Sequence, residues 1–156
     1  GETNMAEINS RQAAKIAAGT KLSNSEAGRR RTVVVQTPAV FAQMAIDDTL
    51  AGGVFIPKGS RIVGCRISNG AGTASSTINV GLRKRSDLTV LSATAIASLI
   101  AITTATTTPT NGANGAYVAG GVDQVLTDDA EVYVTAKGAV LAANQLVRIE
   151  VDYIGS

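Results

Sequence analysis

The segment QLVRIEVDYIG, residues 145–155, alternates apolar and charged side chains along most of its length. Val147, Ile149, Val151 and Tyr153 fall on one side, and Arg148, Glu150 and Asp152 on the other. Successive side chains of an extended chain point to opposite faces, so this pattern fits a strand with one buried and one wet face. The same period recurs upstream. RIVGCRIS (61–68) sets Val63, Cys65 and Ile67 against Arg66 and Ser68. TINVGLR (77–83) sets Ile78, Val80 and Leu82 against Asn79 and Arg83. AEVYVTA (130–136) sets Val132 and Val134 against Glu131, Tyr133 and Thr135. RTVVVQTP (31–38) is a β-branched run stopped by proline.

Turn signals separate these runs: Gly52-Gly53, Pro57 to Ser60, Asn69 to Gly72, Arg85 to Asp87, Asn111 to Gly115, Gly120-Gly121 and Asp128-Asp129. Short half-buried strands with regular breaks fit an antiparallel sandwich, jelly roll or barrel. Residues 88–108, LTVLSATAIASLIAITTATTT, admit a helix from Ser92 to Ala101, but their Thr and Ile content favours strands. Residues 106–121, TTTPTNGANGAYVAGG, are expected to form a long surface loop. The chain has 156 residues, 3% of them aromatic, which suits one domain with a core of Val, Ile, Leu and Ala.

The N-terminal segment has a different texture. INSRQAAKIAAG (8–19) contains helix formers, with Asn9 or Ser10 as N-cap and Gly19 as stop. TKLSNSEAGRRR (20–31) follows as a loop. From Arg11 to Arg31 there are six bases (Arg11, Lys15, Lys21, Arg29, Arg30 and Arg31) against Glu26, a net +5. From Thr32 onward eight bases face nine acids, a net −1. This divides the chain into a basic arm, residues 1–31, and a β domain, residues 32–156. The arm is either a frayed, solvated tail or a segment that orders against a partner. GETN precedes Met5 and is either native or a cloning remnant.

The composition narrows the chemistry. There is no histidine and a single cysteine. This excludes an intrachain disulfide, a multi-cysteine metal site, and any Ser-His-Asp or Cys-His pair within the chain. Cys65 is expected to be core packing. Asp47-Asp48 and Asp128-Asp129 are read first as turn residues and only second as oxygen ligands for calcium. The glycine-rich stretches at Asn69 and Asn111 match no phosphate loop and read as flexible turns. Arg83, Lys84 and Arg85 read as a solvated hairpin tip or a contact for an acidic protein surface. Without interleaved aromatic residues, Arg29 to Arg31 do not make a base-stacking site. Neither a catalytic constellation nor a cofactor, metal or specific nucleic-acid site is expected. No membrane span is expected either, and the chain reads as soluble and cytoplasmically made.

Three segments carry a family resemblance: INSRQAAKIAAGTKLSNSEAGRRRTVVV, DDTLAGGVFIPKGSRIVGCRISNGAGTASSTINVGLR and LVRIEVDYIG. Together they resemble the head decoration, or cement, proteins of tailed bacteriophages. The resemblance implies a jelly-roll-like β-sandwich with a short, partly helical arm. It implies a non-enzymatic virion protein on the outer surface of an assembled capsid, bridging neighbouring major capsid protein subunits as a homodimer or homotrimer. The arm bases, Arg11, Lys15, Lys21, Arg29, Arg30 and Arg31, are the expected partner contacts. A neck, tail or fibre-base component is the alternative virion role. A carbohydrate-binding adhesion module is disfavoured by the shortage of aromatic residues.

Overall fold

The computed structural model describes residues 7–21, 29–119 and 124–155. Two four-stranded antiparallel sheets pack face to face in a jelly-roll-like sandwich. The strands are β1 (Arg30–Gln36), β2 (Thr49–Ile56), β3 (Arg61–Asn69), β4 (Thr77–Lys84), β5 (Val90–Ala101), β6 (Thr110–Asn111), β7 (Ala130–Lys137) and β8 (Val147–Ile154). Helix α1 (Arg11–Ala17) precedes them, and a single turn, α2 (Ala116–Ala119), follows β6. The first sheet has the order β1-β8-β3-β6 and the second β2-β7-β4-β5. Nearly every connection passes from one sheet to the other; β4 and β5 are the consecutive strands that pair directly.

The alternating segments pack as their periodicity requires. Val147, Ile149, Val151 and Tyr153 of β8 face the core, as do Ile78, Val80 and Leu82 of β4 and Val132 and Val134 of β7. Ile56, Ile67, Ile96, Ile102, Leu126 and Leu141 fill the space between the sheets. Burial of each such side chain contributes about 1.5–3 kcal/mol. As expected, Val, Ile, Leu and Ala make up most of the core, with Tyr153 at its margin.

Within residues 88–108, Val90–Ala101 form strand β5, which settles the choice between helix and strand. Its pairing with β4 shifts register three times, and the extra residues push Ala95, Ile96 and Ala97 into full burial.

Four local expectations are corrected. Val63 does not share the core face with Cys65: a bulge between Ile62 and Gly64 breaks the alternation, so Ile62 is buried and Val63 half-buried. Gly52-Gly53 does not separate two strands but forms a bulge inside β2, with Gly53 at φ +69°. A Cβ on Gly52 would collide with the Val132 carbonyl, so this strand passes its neighbour only with glycine there.

Residues 106–121 do not form a plain surface loop. They include β6 and α2, which lie against β3 and β5, and Gly112 and Gly115 are buried. A Cβ on Gly115 would collide with the Thr94 carbonyl, so the segment lies this close to β5 only with glycine there. Lastly, the turn beginning at Asn69 is pinned. Asn69 is 4% exposed, and its Nδ2 donates to the carbonyls of Gly70 (2.8 Å), Ile102 (3.2 Å) and Thr104 (2.9 Å). Gly120-Gly121 lies outside the described residues.

Candidate functional site

The arm helix forms where the sequence places it. Ser10 caps α1, its hydroxyl accepting the Ala13 N–H at 3.0 Å, and Gly19 follows the helix at φ +73°. With seven residues, α1 has little stability of its own. It exposes Ile16 (65%), and Ile8 just ahead of it is 92% exposed. The six basic residues are strung out rather than gathered. Arg11 opens α1 and Lys15 lies in its last turn. Lys21 and Arg29 are exposed, one on each side of residues 22–28. Arg30 and Arg31 are the first two residues of β1, opposite Ile154 and Tyr153 of β8. No described ion pair or hydrogen bond joins any two of the six.

Arg30 instead joins a charge network on the outer face of the first sheet. Asp152, on β8, is 2% exposed although it lies on the polar face of its strand. The Thr32 hydroxyl donates to its Oδ1 at 2.6 Å, and Arg66 NH1 donates to its Oδ2 at 3.0 Å. Arg30 NH1 lies 3.9 Å from the same Oδ2. The opposing residue on β3 is Gly64, which has no side chain to crowd the carboxylate. Arg66 also approaches Glu150 at 3.8 Å, and Arg148 NH1 donates to Gln36 Oε1 at 3.0 Å. The alternation in β8 identified these residues as outward-facing. It gave no sign that Asp152 is buried, because that depends on Thr32, Arg30 and Arg66 of two other strands.

The second sheet carries a smaller network. Arg83 NH2 donates to Glu131 Oε1 at 3.0 Å, with the two side chains only 14% and 8% exposed. The guanidinium lies 5.0 Å from the centroid of the Tyr133 ring. Burial, opposed by the Arg83 charge, pushes the Tyr133 hydroxyl above its usual pKa. Arg85 stacks over Phe55 at 4.1 Å. The expected solvated hairpin tip holds for Arg85, exposed where β4 turns into β5 and stacked over Phe55, but not for Arg83, the next-to-last residue of β4, whose side chain is only 14% exposed.

Cys65 is 2% exposed, and burial, with the Asp152 charge adding to it, pushes its thiol up to about 12. Such a thiol stays protonated and packs as a small apolar group, as expected. The acid pairs also act as turn residues. Asp47 pairs with Lys137 at 2.6 Å, and Asp48 accepts the Ala45 N–H at 3.0 Å. Asp129 accepts the Lys58 N–H at 2.8 Å, and Asp128 accepts the Thr127 hydroxyl at 2.9 Å. An open hollow of about 550 Å³ lies between Lys58, Arg85, Ser86, Asp128 and Asp129. Among the described residues, no three His, Cys, Asp or Glu side chains gather as metal ligands.

No family model matches the chain, and no curated protein matches it. Solved structures do. A chain in the capsid of Ralstonia phage GP4 superposes with a TM-score of 0.56 at 15% identity, covering 83% of this chain and 86% of that one. A chain of the cyanophage Pam1 capsid asymmetric unit aligns with a TM-score of 0.45 at 16% identity, covering 82% of this chain and 84% of that one. At these identities the likeness is one of fold.

Proposed function

We propose that this chain is a structural protein of a phage virion that binds the outer surface of the capsid and braces neighbouring capsid-protein subunits. The observation that carries this reading is the sandwich shared with a chain of the Ralstonia phage GP4 capsid over most of both chains. The arm supports it. α1 exposes apolar Ile16, and Ile8 lies ahead of it, while basic residues run from Arg11 to Arg31. A segment of this kind loses entropy when it orders on a partner, but it can span a subunit boundary. Arg11, Lys15, Lys21, Arg29, Arg30 and Arg31 are its contacts with an acidic capsid surface, and many copies on one lattice compensate for weak single contacts.

The test is reconstitution. Purified protein added to expanded capsids that lack it should bind at a copy number set by the capsid lattice and raise their resistance to heat. Capsids equally stable with and without it would overturn the proposal. A copy number matching a ring at one vertex would move the protein to a neck or tail.

A further inference from the structure

The sandwich has four edge strands, and three of them are unsuited to pairing with another chain. β6 is two residues long. β5 shifts register three times and is capped from outside, with Asn114 bonded to both the N–H (2.7 Å) and the carbonyl (3.1 Å) of Ser98. The Gly115 N–H also bonds the Ile96 carbonyl at 2.8 Å. β2 is broken by the Gly52-Gly53 bulge. Short, bulged or covered edges are how sheets avoid pairing with strangers. β1 is neither short, bulged nor covered by a described residue, and its charges are confined to Arg30 and Arg31 at one end. Its seven residues pair with β8 without a register shift, and nothing among the described residues bonds its other side.

The open groups on β1 can be assigned. The Thr37 N–H donates to the Val147 carbonyl at 3.0 Å, so Thr37 turns its backbone toward β8. By the alternation of an antiparallel ladder, Val35, Val33 and Arg31 do the same, while Arg30, Thr32, Val34 and Gln36 direct N–H and C=O to the open edge.

We infer that β1 pairs antiparallel with β1 of a second copy of this chain, centred on Val33, joining the two first sheets into one eight-stranded sheet. This register sets Thr32 opposite Val34 of the second copy and Arg30 opposite Gln36, so all four outward residues of each strand find a partner. A centre at Val34 would set Arg30 opposite Pro38, which has no N–H to give. Charge favours the same arrangement. Six residues at about 3.4 Å each hold the two Arg30 positions roughly 20 Å apart, well beyond the screening length in physiological salt. A parallel pairing would set Arg30 and Arg31 beside their own copies. The two-fold axis closes the assembly at two chains.

The dimer is a property of the chain in solution, so its test is separate from capsid binding. Sedimentation of the full chain should give twice the monomer mass. Val34→Pro removes an N–H that no described residue uses within the monomer; it should give a monomer with its unfolding transition retained. Val34→Lys leaves the backbone intact and places two lysines on one face of the junction, each facing Thr32 of the other copy and diagonal to the other lysine; it too should weaken the dimer. If Val34→Pro fails to fold, Val34→Lys decides. Mixed Thr32→Cys and Val34→Cys copies should cross-link on oxidation, while mixed Thr32→Cys and Gln36→Cys copies should not. A monomeric wild-type chain would overturn the inference, as would a dimer that survives both substitutions or cross-linking in the second mixture only.

Discussion

Leu88 and Leu99 adopt left-handed backbone conformations, at φ 62° and 51°, yet expose 51% and 59% of their surface. Such a conformation costs an L-residue about 1–2 kcal/mol and glycine almost nothing. Little burial offsets that cost, although the Leu99 N–H is held by Asn79 Oδ1 at 2.8 Å. Leu88→Gly and Leu99→Gly are each expected to raise stability by about 1 kcal/mol, read as a higher denaturant midpoint at unchanged slope. Cys65 gives a prediction of a different kind. Its thiol titrates near 9.0 when free and is pushed up to about 12 in the fold. Between those values the unfolded chain has released the proton and the folded chain has kept it. Its contribution to stability is therefore whole below about pH 9 and is lost as pH rises toward 12. In that window the wild type should lose up to about 1.4 kcal/mol per pH unit more than Cys65→Ala. The same burial predicts that a thiol reagent labels Cys65 only once the protein unfolds.

The bulge in β2 separates two kinds of glycine requirement. Gly53 needs its backbone angle but has open space around it, whereas Gly52 needs the space itself. Gly53→Ala should cost about 1 kcal/mol of strain. Gly52→Ala should cost more than about 2 kcal/mol, because the obstacle is the backbone carbonyl of Val132, which no rotamer change relieves. Thermal or denaturant unfolding of both variants measures the difference. The same bulges mark where strands stop being legible in sequence. β4 and β8 follow period two, and their core faces could be read directly from it. β3 obeys it only after Gly64, since the extra residue at the bulge reverses the parity that Val63 would otherwise have. In β2 the glycine pair looks like a break between elements, because nothing local distinguishes a bulge from a turn. β7 shows another limit. Tyr133 and Glu131 alternate as polar-face residues should, yet both are buried, since Arg83 from β4 closes over them. Contacts between strands far apart in sequence leave no trace in the periodicity of either strand. The basic arm was visible from charge alone, but charge did not indicate that Arg30 and Arg31 begin β1.

That boundary determines how the whole molecule should be dissected. A truncation through Arg31 would remove the first two residues of β1 and confuse loss of the arm with damage to the sheet. Removing residues 1–21 avoids this. The segment contains α1, whose backbone hydrogen bonds among the described residues are all internal, and both Ile8 and Ile16 lie on the surface. Little apolar burial among the described residues is lost with it, so the melting temperature of the sandwich should move by less than about 2 °C. Under the proposed function, capsid affinity should nevertheless fall. Arg11, Lys15 and Lys21 leave with the truncated segment, while Arg29, Arg30 and Arg31 remain at the start of the sheet. Binding by the full chain should weaken as salt is raised, since exposed charge pairs are screened over about 8 Å at physiological ionic strength. The truncated chain should show a shallower salt dependence, having fewer bases to screen. Titrating both forms onto expanded capsids at several salt concentrations separates the outcomes. Equal affinity and equal salt slope would remove the arm from the interface and leave the sheet faces to account for binding.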